Sequence, residues 1–178
     1  MSTELPYKKL KNPCTPNYKH LKDYILGPTP GWCFYKHAVL QEPEDGYEQP
    51  PMMTLHFLSR PEPWGHSLIA SDYFCQAHEF VLELLAVNGI MCNRVLRLAA
   101  NIMFPTATGK PASPHIDHEV MKHNNLIVYL NDSSGDTVID GHPFSPKEDE
   151  AIIFPGLKHY VVPPSTNDYR VVLVATYQ

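Results

Sequence analysis

The sequence predicts an α+β domain, mainly β, in which helices of the N-terminal third support a β-rich remainder. Three observations carry that expectation. After Gly89 the hydrophobic pattern changes from a helical period to strand-like alternation, in short runs separated by turn residues. Before it lies one strongly amphipathic stretch, with Phe74, Ala77, Phe80, Val81, Leu84 and Leu85 on a single face. The chain also contains 18 prolines, about twice the usual share, and Pro is excluded from helix interiors. An all-helical bundle is therefore disfavoured.

Taken in order, residues 1–50 read as an irregular arm with Pro at 6, 13, 16, 28, 30, 43 and 50. One apolar pattern interrupts it. Tyr18, Leu21, Tyr24 and Ile25 suit a short helix begun by Asn17 and stopped by Gly27 and Pro28. Residues 51–92 hold a strand over 52–58 and the main helix, from Ser71 as N-cap to about Val87, where Asn88 and Gly89 offer a left-handed stop. Residues 93–178 contain strands over 95–104, 125–130, 137–139, 150–154, 157–162 and 169–176, the pattern of a sandwich or barrel. A chain of 178 residues, 43% hydrophobic, can bury one substantial core, and a single domain over 1–178 is expected.

The formal charge of −5 gives no global attraction to nucleic acid or to an anionic membrane surface. The N-terminal residues lack the apolar core of a signal peptide, and no segment approaches the roughly 20 apolar residues of a membrane span. A soluble, cytoplasmic protein is expected. Cys14, Cys33, Cys75 and Cys92 are scattered, without the paired spacing of a zinc site, and are read as reduced thiols.

The chemistry concentrates in Pro114-His115-Ile116-Asp117 and the distant His159. On extended backbone, residues two apart project to the same side, so His115 and Asp117 can reach one ion together. A histidine from a facing strand would complete two imidazoles and one carboxylate, the set that non-haem Fe(II) oxygenases use with open positions left for reactants. Alone, His-x-Asp is a weak signal. Its context strengthens it, because Arg170 stands in the otherwise apolar run Tyr-Arg-Val-Val-Leu-Val-Ala-Thr-Tyr. A buried guanidinium needs an anion, and the candidates are Asp168 or a ligand outside the chain.

From about Val95 to Tyr177 the sequence resembles the catalytic core of 2-oxoglutarate and Fe(II)-dependent oxygenases, in the branch of prolyl 4-hydroxylases and short phage-encoded relatives. The pieces that carry the resemblance are His115-Ile116-Asp117, Leu126-Ile127-Val128-Tyr129-Leu130-Asn131, Gly135-Asp136-Thr137, Phe154-Pro155-Gly156-Leu157-Lys158-His159, and Arg170. It implies a double-stranded β-helix, or jelly roll, with iron on His115, Asp117 and His159. It places the distal carboxylate of 2-oxoglutarate on Arg170 and Tyr129. Asn101 would donate to the near carboxylate, or else be a satisfied polar residue at a strand end. The implied reaction hydroxylates a C–H bond with O2, releasing succinate and CO2, with ascorbate as an optional reductant. The resemblance tilts the substrate toward a peptidyl, prolyl-like side chain; a small molecule or amino acid is the alternative. Two departures stand out: Gly135-Asp136 replaces the usual Gly-Gly, and the interval from His159 to Arg170 is slightly long.

A cupin-like metal protein is the rival reading, with Glu119 on hand as a further ligand, but it leaves Arg170 unexplained. A non-catalytic binding protein of the same fold is the third. Neighbouring residues invite further expectations. His118 and His123 are placed at the surface or the substrate mouth, and His142 in a turn. Trp32, Phe34 and Tyr35 are expected to pack against the sheet rather than wall a substrate. Arg60 and Trp64 would form a lid, and Arg97 would line the mouth or cap the sheet.

Overall fold

Two antiparallel sheets and two helices account for the regular structure of this computed structural model, which describes residues 4–38, 43–62, 65–165 and 167–178. The strands are β1 Lys8–Leu10, β2 Cys33–Tyr35, β3 Met52–Leu58, β4 Val95–Met103, β5 Asn124–Tyr129, β6 Thr137–Ile139, β7 His142–Phe144, β8 Ala151–Pro155, β9 His159–Val161 and β10 Arg170–Tyr177. The larger sheet runs β1-β8-β5-β10-β4-β3-β2, and the smaller runs β7-β6-β9. No helix among the described residues is long and apolar enough to cross a membrane.

Period-two alternation divides the larger sheet into two faces with different tasks. On β10, Val171, Leu173, Ala175 and Tyr177 enter the main core, as do Leu126 and Val128 of β5 and Leu55 and Phe57 of β3. Against this face packs α2 (Phe74–Val87), whose Ala77, Phe80, Val81, Leu84 and Leu85 are all buried. The helix α1 (Pro16–Leu26) adds Tyr18, Leu21 and Ile25 to the same core. The opposite face carries Ile127, Tyr129, Ile152, Phe154 and Val172, which pack with Ile139 and Phe144 of the smaller sheet. The site lies between the sheets, on this second face.

Helix boundaries differ from the sequence expectation for local reasons. Thr15, not Asn17, caps α1: its side chain accepts from the Tyr18 N–H, and Pro16 occupies the first helical turn, where its missing N–H costs nothing. Asn17 instead donates to the Gln76 carbonyl and ties α1 to α2. Ser71 shapes a turn, accepting from the Tyr73 N–H, so α2 begins two residues later than expected, with Tyr73 and not Ser71 at the N-cap. Its predicted stop holds, with Gly89 at φ +67°. The N-terminal arm is less irregular than it reads, since β1 pairs with β8 and β2 with β3 at the two edges of the larger sheet.

Deleting core volume should test which face carries stability. Leu84→Ala, at a fully buried position of α2, should cost roughly 2–5 kcal/mol in urea unfolding. A loss below about 1 kcal/mol would show that the helix is not part of the cooperative core.

Candidate metal centre

A single antiparallel bridge brings the distant histidine to the His-x-Asp segment. His115 N–H donates to the His159 carbonyl and His159 N–H to the His115 carbonyl, both at 3.0 Å. This closely hydrogen-bonded pairing sets the two rings side by side, with centroids 4.5 Å apart. Asp117, two residues on, returns to the same side. One ligand atom from each of His115, Asp117 and His159 lies within 4.8 Å of the others, which makes this a group that could hold a metal ion.

Hydrogen bonds orient each donor. His115 Nδ1 faces the Ser113 carbonyl at 3.4 Å, and His159 Nδ1 faces the Leu157 carbonyl at 3.0 Å. An Nδ1–H donating to a carbonyl leaves the Nε2 lone pair for an ion. On Asp117 the two oxygens have separate duties. Oδ1 accepts from Arg60 Nη2 at 2.8 Å and Arg97 Nη1 at 3.2 Å, whereas Oδ2 faces His159 Nε2 at 3.6 Å. Arg60 also donates to the Asp117 backbone carbonyl. A carboxylate held in this way offers one oxygen to an ion.

The cavity behind the group has a volume of about 110 Å³ and is lined by residues of both sheets, including Asn101, Ile127, Val172, Thr137 and Arg170. Arg170 is 6% exposed. Its Nη2 donates to Thr137 Oγ1 at 2.6 Å, its guanidinium stands over the Tyr129 ring at 5.3 Å, and its Nε has no hydrogen-bond partner. Asp168 does not pair with it. That carboxylate is taken by the Ser133 and Ser134 hydroxyls and the Ser134 and Tyr169 N–H groups. The Tyr129 hydroxyl shares a 2.7 Å hydrogen bond with Thr137 beside the Arg170 guanidinium, and Tyr129 does not itself line the cavity. Asn101 faces the cavity, with its Oδ1 accepting from Thr54 at 3.0 Å.

No protein-family model matches this chain, and no curated protein matches it. Solved structures do. An oxidoreductase of the 2OG-Fe(II) oxygenase family from Burkholderia pseudomallei superposes with a TM-score of 0.66 at 13% identity, covering 98% of this chain and 86% of that one. This chain shares its fold. The non-haem α-ketoglutarate-dependent epimerase SnoN from nogalamycin biosynthesis gives 0.60 at 14% identity, over 97% and 77% of the two chains. A prolyl hydroxylase from Trichoplax adhaerens, in complex with a hypoxia-inducible-factor peptide fragment, gives 0.57 at 13%, over 97% and 83%.

Within the shared fold, several residues sit elsewhere than the sequence suggested. His118 and His123, expected at the surface or the substrate mouth, are both buried, and His118 borders the groove that opens beside His115 and Asp117. His118 Nδ1 donates to Glu62 at 2.8 Å and its Nε2 accepts from Thr176 at 2.7 Å. His123 packs edge-on against His118, and a side chain at Gly156 would collide with its ring. Phe34 and Tyr35 are exposed rather than packed, although Trp32 does pack against the core. Tyr35 borders the outer groove and bonds His56 at 2.8 Å. Arg60 is an Asp117 partner and Arg97 is buried beside it, while Trp64 lies outside the described residues. His142, expected in a turn, is the first residue of β7 and pairs with Ile139, just after the Asp140-Gly141 turn. Thr137, quoted only within a motif, links Tyr129 to Arg170; its signal was a hydroxyl two residues after a conformationally constrained glycine. A Cβ on Gly135 would lie 2.7 Å from the Val162 carbonyl.

Burial and charge set the protonation of the group. Burial lowers His115 to about 4, reinforced by the neighbouring His159, and burial lowers His159 too. Burial pushes Asp117 up, but Arg97, His159 and Arg60 together hold it well below the usual carboxylate range. Both imidazoles are neutral and the carboxylate ionised at pH 7, the states that bind a metal. His118 is also lowered, chiefly by burial. These histidines titrate lower in the folded chain than unfolded, so the unfolded chain binds more protons as pH falls below 6.5. The metal-free protein should therefore melt at a lower temperature at pH 5 than at pH 7.5. An unchanged or higher melting temperature at pH 5 would contradict these assignments.

Proposed function

We propose that this protein is an Fe(II)- and 2-oxoglutarate-dependent dioxygenase that hydroxylates a C–H bond. Its two sheets are read as a double-stranded β-helix of the prolyl 4-hydroxylase-like branch, akin to short phage-encoded members, in a soluble cytoplasmic protein. The observation that carries the reading is the pairing of one three-ligand group with one buried, acid-free guanidinium across a single cavity.

The residues fit both the metal and the cosubstrate. His115 Nε2, Asp117 Oδ2 and His159 Nε2 supply the two nitrogens and one oxygen that suit a ferrous ion, and no fourth protein ligand crowds its remaining positions among the described residues. Arg170, with its free Nε–H and a planar fork, is suited to the far carboxylate of 2-oxoglutarate. Thr137 holds the guanidinium in place, and Tyr129 braces Thr137. Asn101 is assigned to the near carboxylate, presenting its amide from β4 while Thr54 fixes its oxygen.

When bound, the ferrous ion and 2-oxoglutarate together supply the oxidising power. The overall conversion balances: substrate C–H, O2 and 2-oxoglutarate give C–OH, succinate and CO2. The protein's own part is to orient and to exclude water. Arg60 and Arg97 keep Asp117 ionised and turned, and Ile127, Phe154, Val172 and Val174 give the cavity an apolar wall against which a bound substrate would displace water. A peptidyl side chain and a small molecule both remain within this class of substrate. The cupin-like alternative gives Arg170 no task, and Glu119 is not part of the three-ligand group.

Turnover of 2-oxoglutarate to succinate, followed with ferrous ion and ascorbate, tests the reading. Asp117→Ala should remove ferrous binding and with it at least about 100-fold of the activity, no less than the loss seen when one preorganised electrostatic group of an active site is removed. Arg170→Met should bind iron but raise the 2-oxoglutarate KM by roughly 30-fold or more, since a buried charge pair is worth about 2–5 kcal/mol. A wild-type protein that binds iron yet never binds or consumes 2-oxoglutarate would leave the cupin-like reading standing.

A further inference from the structure

The charges lining the cavity do not balance. Arg60, Arg97 and Arg170 all line it, against the single carboxylate of Asp117. A ferrous ion and a 2-oxoglutarate dianion would cancel each other and leave that excess in place. The excess is shared by all three arginines; Arg170 gains hydrogen bonds to the cosubstrate in the proposed function and Arg60 is partly exposed, which leaves Arg97 as the buried guanidinium with an unpartnered Nε.

Arg97 shows the deficit most clearly. It is 7% exposed, projects from β4 into the cavity, and its Nε has no hydrogen-bond partner. Its Nη1 shares Asp117 Oδ1 with Arg60. One carboxylate that must also ligate a divalent ion has less charge to offer either guanidinium. Burial and the like charge of Arg60 push Arg97 down to about 10, which still leaves it charged at neutral pH. A buried, half-paired cation of this kind is destabilising unless an anion completes it.

Both arginines also border the outer groove, a space of about 600 Å³ that opens beside His115 and Asp117. Its walls include Tyr35, Thr54 and His56. Glu62, which His118 engages, and Glu119 also lie on this groove, and neither is among the acids that pair with Arg97. The volume is that of a small-molecule site.

We propose that the substrate is a small carboxylic acid, free amino acids included, whose carboxylate enters between Arg97 and Arg60. The Nε–H of Arg97 donates to it, and the carboxylate fixes the substrate's carbon chain beside the three-ligand group. This inference rests on the oxygenase reading and narrows its substrate. An end-capped peptide without acidic side chains brings no carboxylate and would cover the buried Arg97 guanidinium without an added anion.

The test uses full-length protein loaded with Zn(II), which accepts the same ligands without oxidising them, and saturating 2-oxoglutarate. Ligand-observed NMR then compares free amino acids and small mono- and dicarboxylic acids with their primary amides and with an end-capped prolyl peptide. At least one acid should bind, and its amide should bind at least about 30-fold more weakly, as expected when a buried charge loses its partner. Arg97→Met should abolish the acid-over-amide preference, and Arg97→Lys should keep part of it, whatever either change does to metal affinity. An amide that binds as well as its acid, a capped peptide that binds while every acid fails, or no binding by any acid would overturn the proposal. If wild-type protein takes up neither Zn(II) nor 2-oxoglutarate, the oxygenase reading fails and this inference falls with it.

Discussion

Everything at the site turns on how the two oxygens of Asp117 are used. Oδ1 is held by two guanidiniums, and Oδ2 is left facing His159 Nε2. A buried carboxylate free to swing could chelate an ion with both oxygens and close a position that chemistry needs. Holding one oxygen from behind prevents that. The same contacts keep the carboxylate ionised despite burial, since the nearby positive charge outweighs the desolvation that favours its neutral form.

The fold supplies this arrangement by assigning opposite tasks to the two faces of one sheet. Alternate residues of β10 show the division: Val171, Leu173, Ala175 and Tyr177 bury against the helices, while Arg170, Val172 and Val174 line the cavity. The helices cover the first face and supply the largest apolar burial, which offsets the cost of placing polar groups on the second. Arg170 and Arg97 can be buried with unpartnered Nε atoms because the strands carrying them are fixed by the core on the other side. Their unmet hydrogen-bonding capacity points to what is expected to enter.

Much of this was legible in the sequence because its signals are local. The change of period after Gly89, the apolar stripe of α2 and the His-x-Asp spacing all lie within short windows, and the isolated Arg170 stands out against its apolar run. What was missed depends on distant partners. The strands β1 and β2 have three residues each and pair only at sheet edges; Lys8, for example, pairs with Ile153. His118 read as exposed because its partners, Glu62 and Thr176, lie 56 and 58 residues away. Arg60 read as part of a lid because nothing in Ser-Arg-Pro-Glu announces a carboxylate 57 residues on. The expectation that Arg170 takes an anion left Asp168 and a ligand outside the chain as candidates, and only the structure shows Asp168 bonded to its own turn.

The most direct measurement is a crystal structure of the protein grown anaerobically with ferrous ion and 2-oxoglutarate, with anomalous scattering collected at the iron edge. The account predicts one anomalous peak, bounded by His115 Nε2, a single oxygen of Asp117 and His159 Nε2, with Oδ1 still held by Arg60 and Arg97. A peak elsewhere, or an ion chelated by both Asp117 oxygens with the arginines displaced, would contradict it.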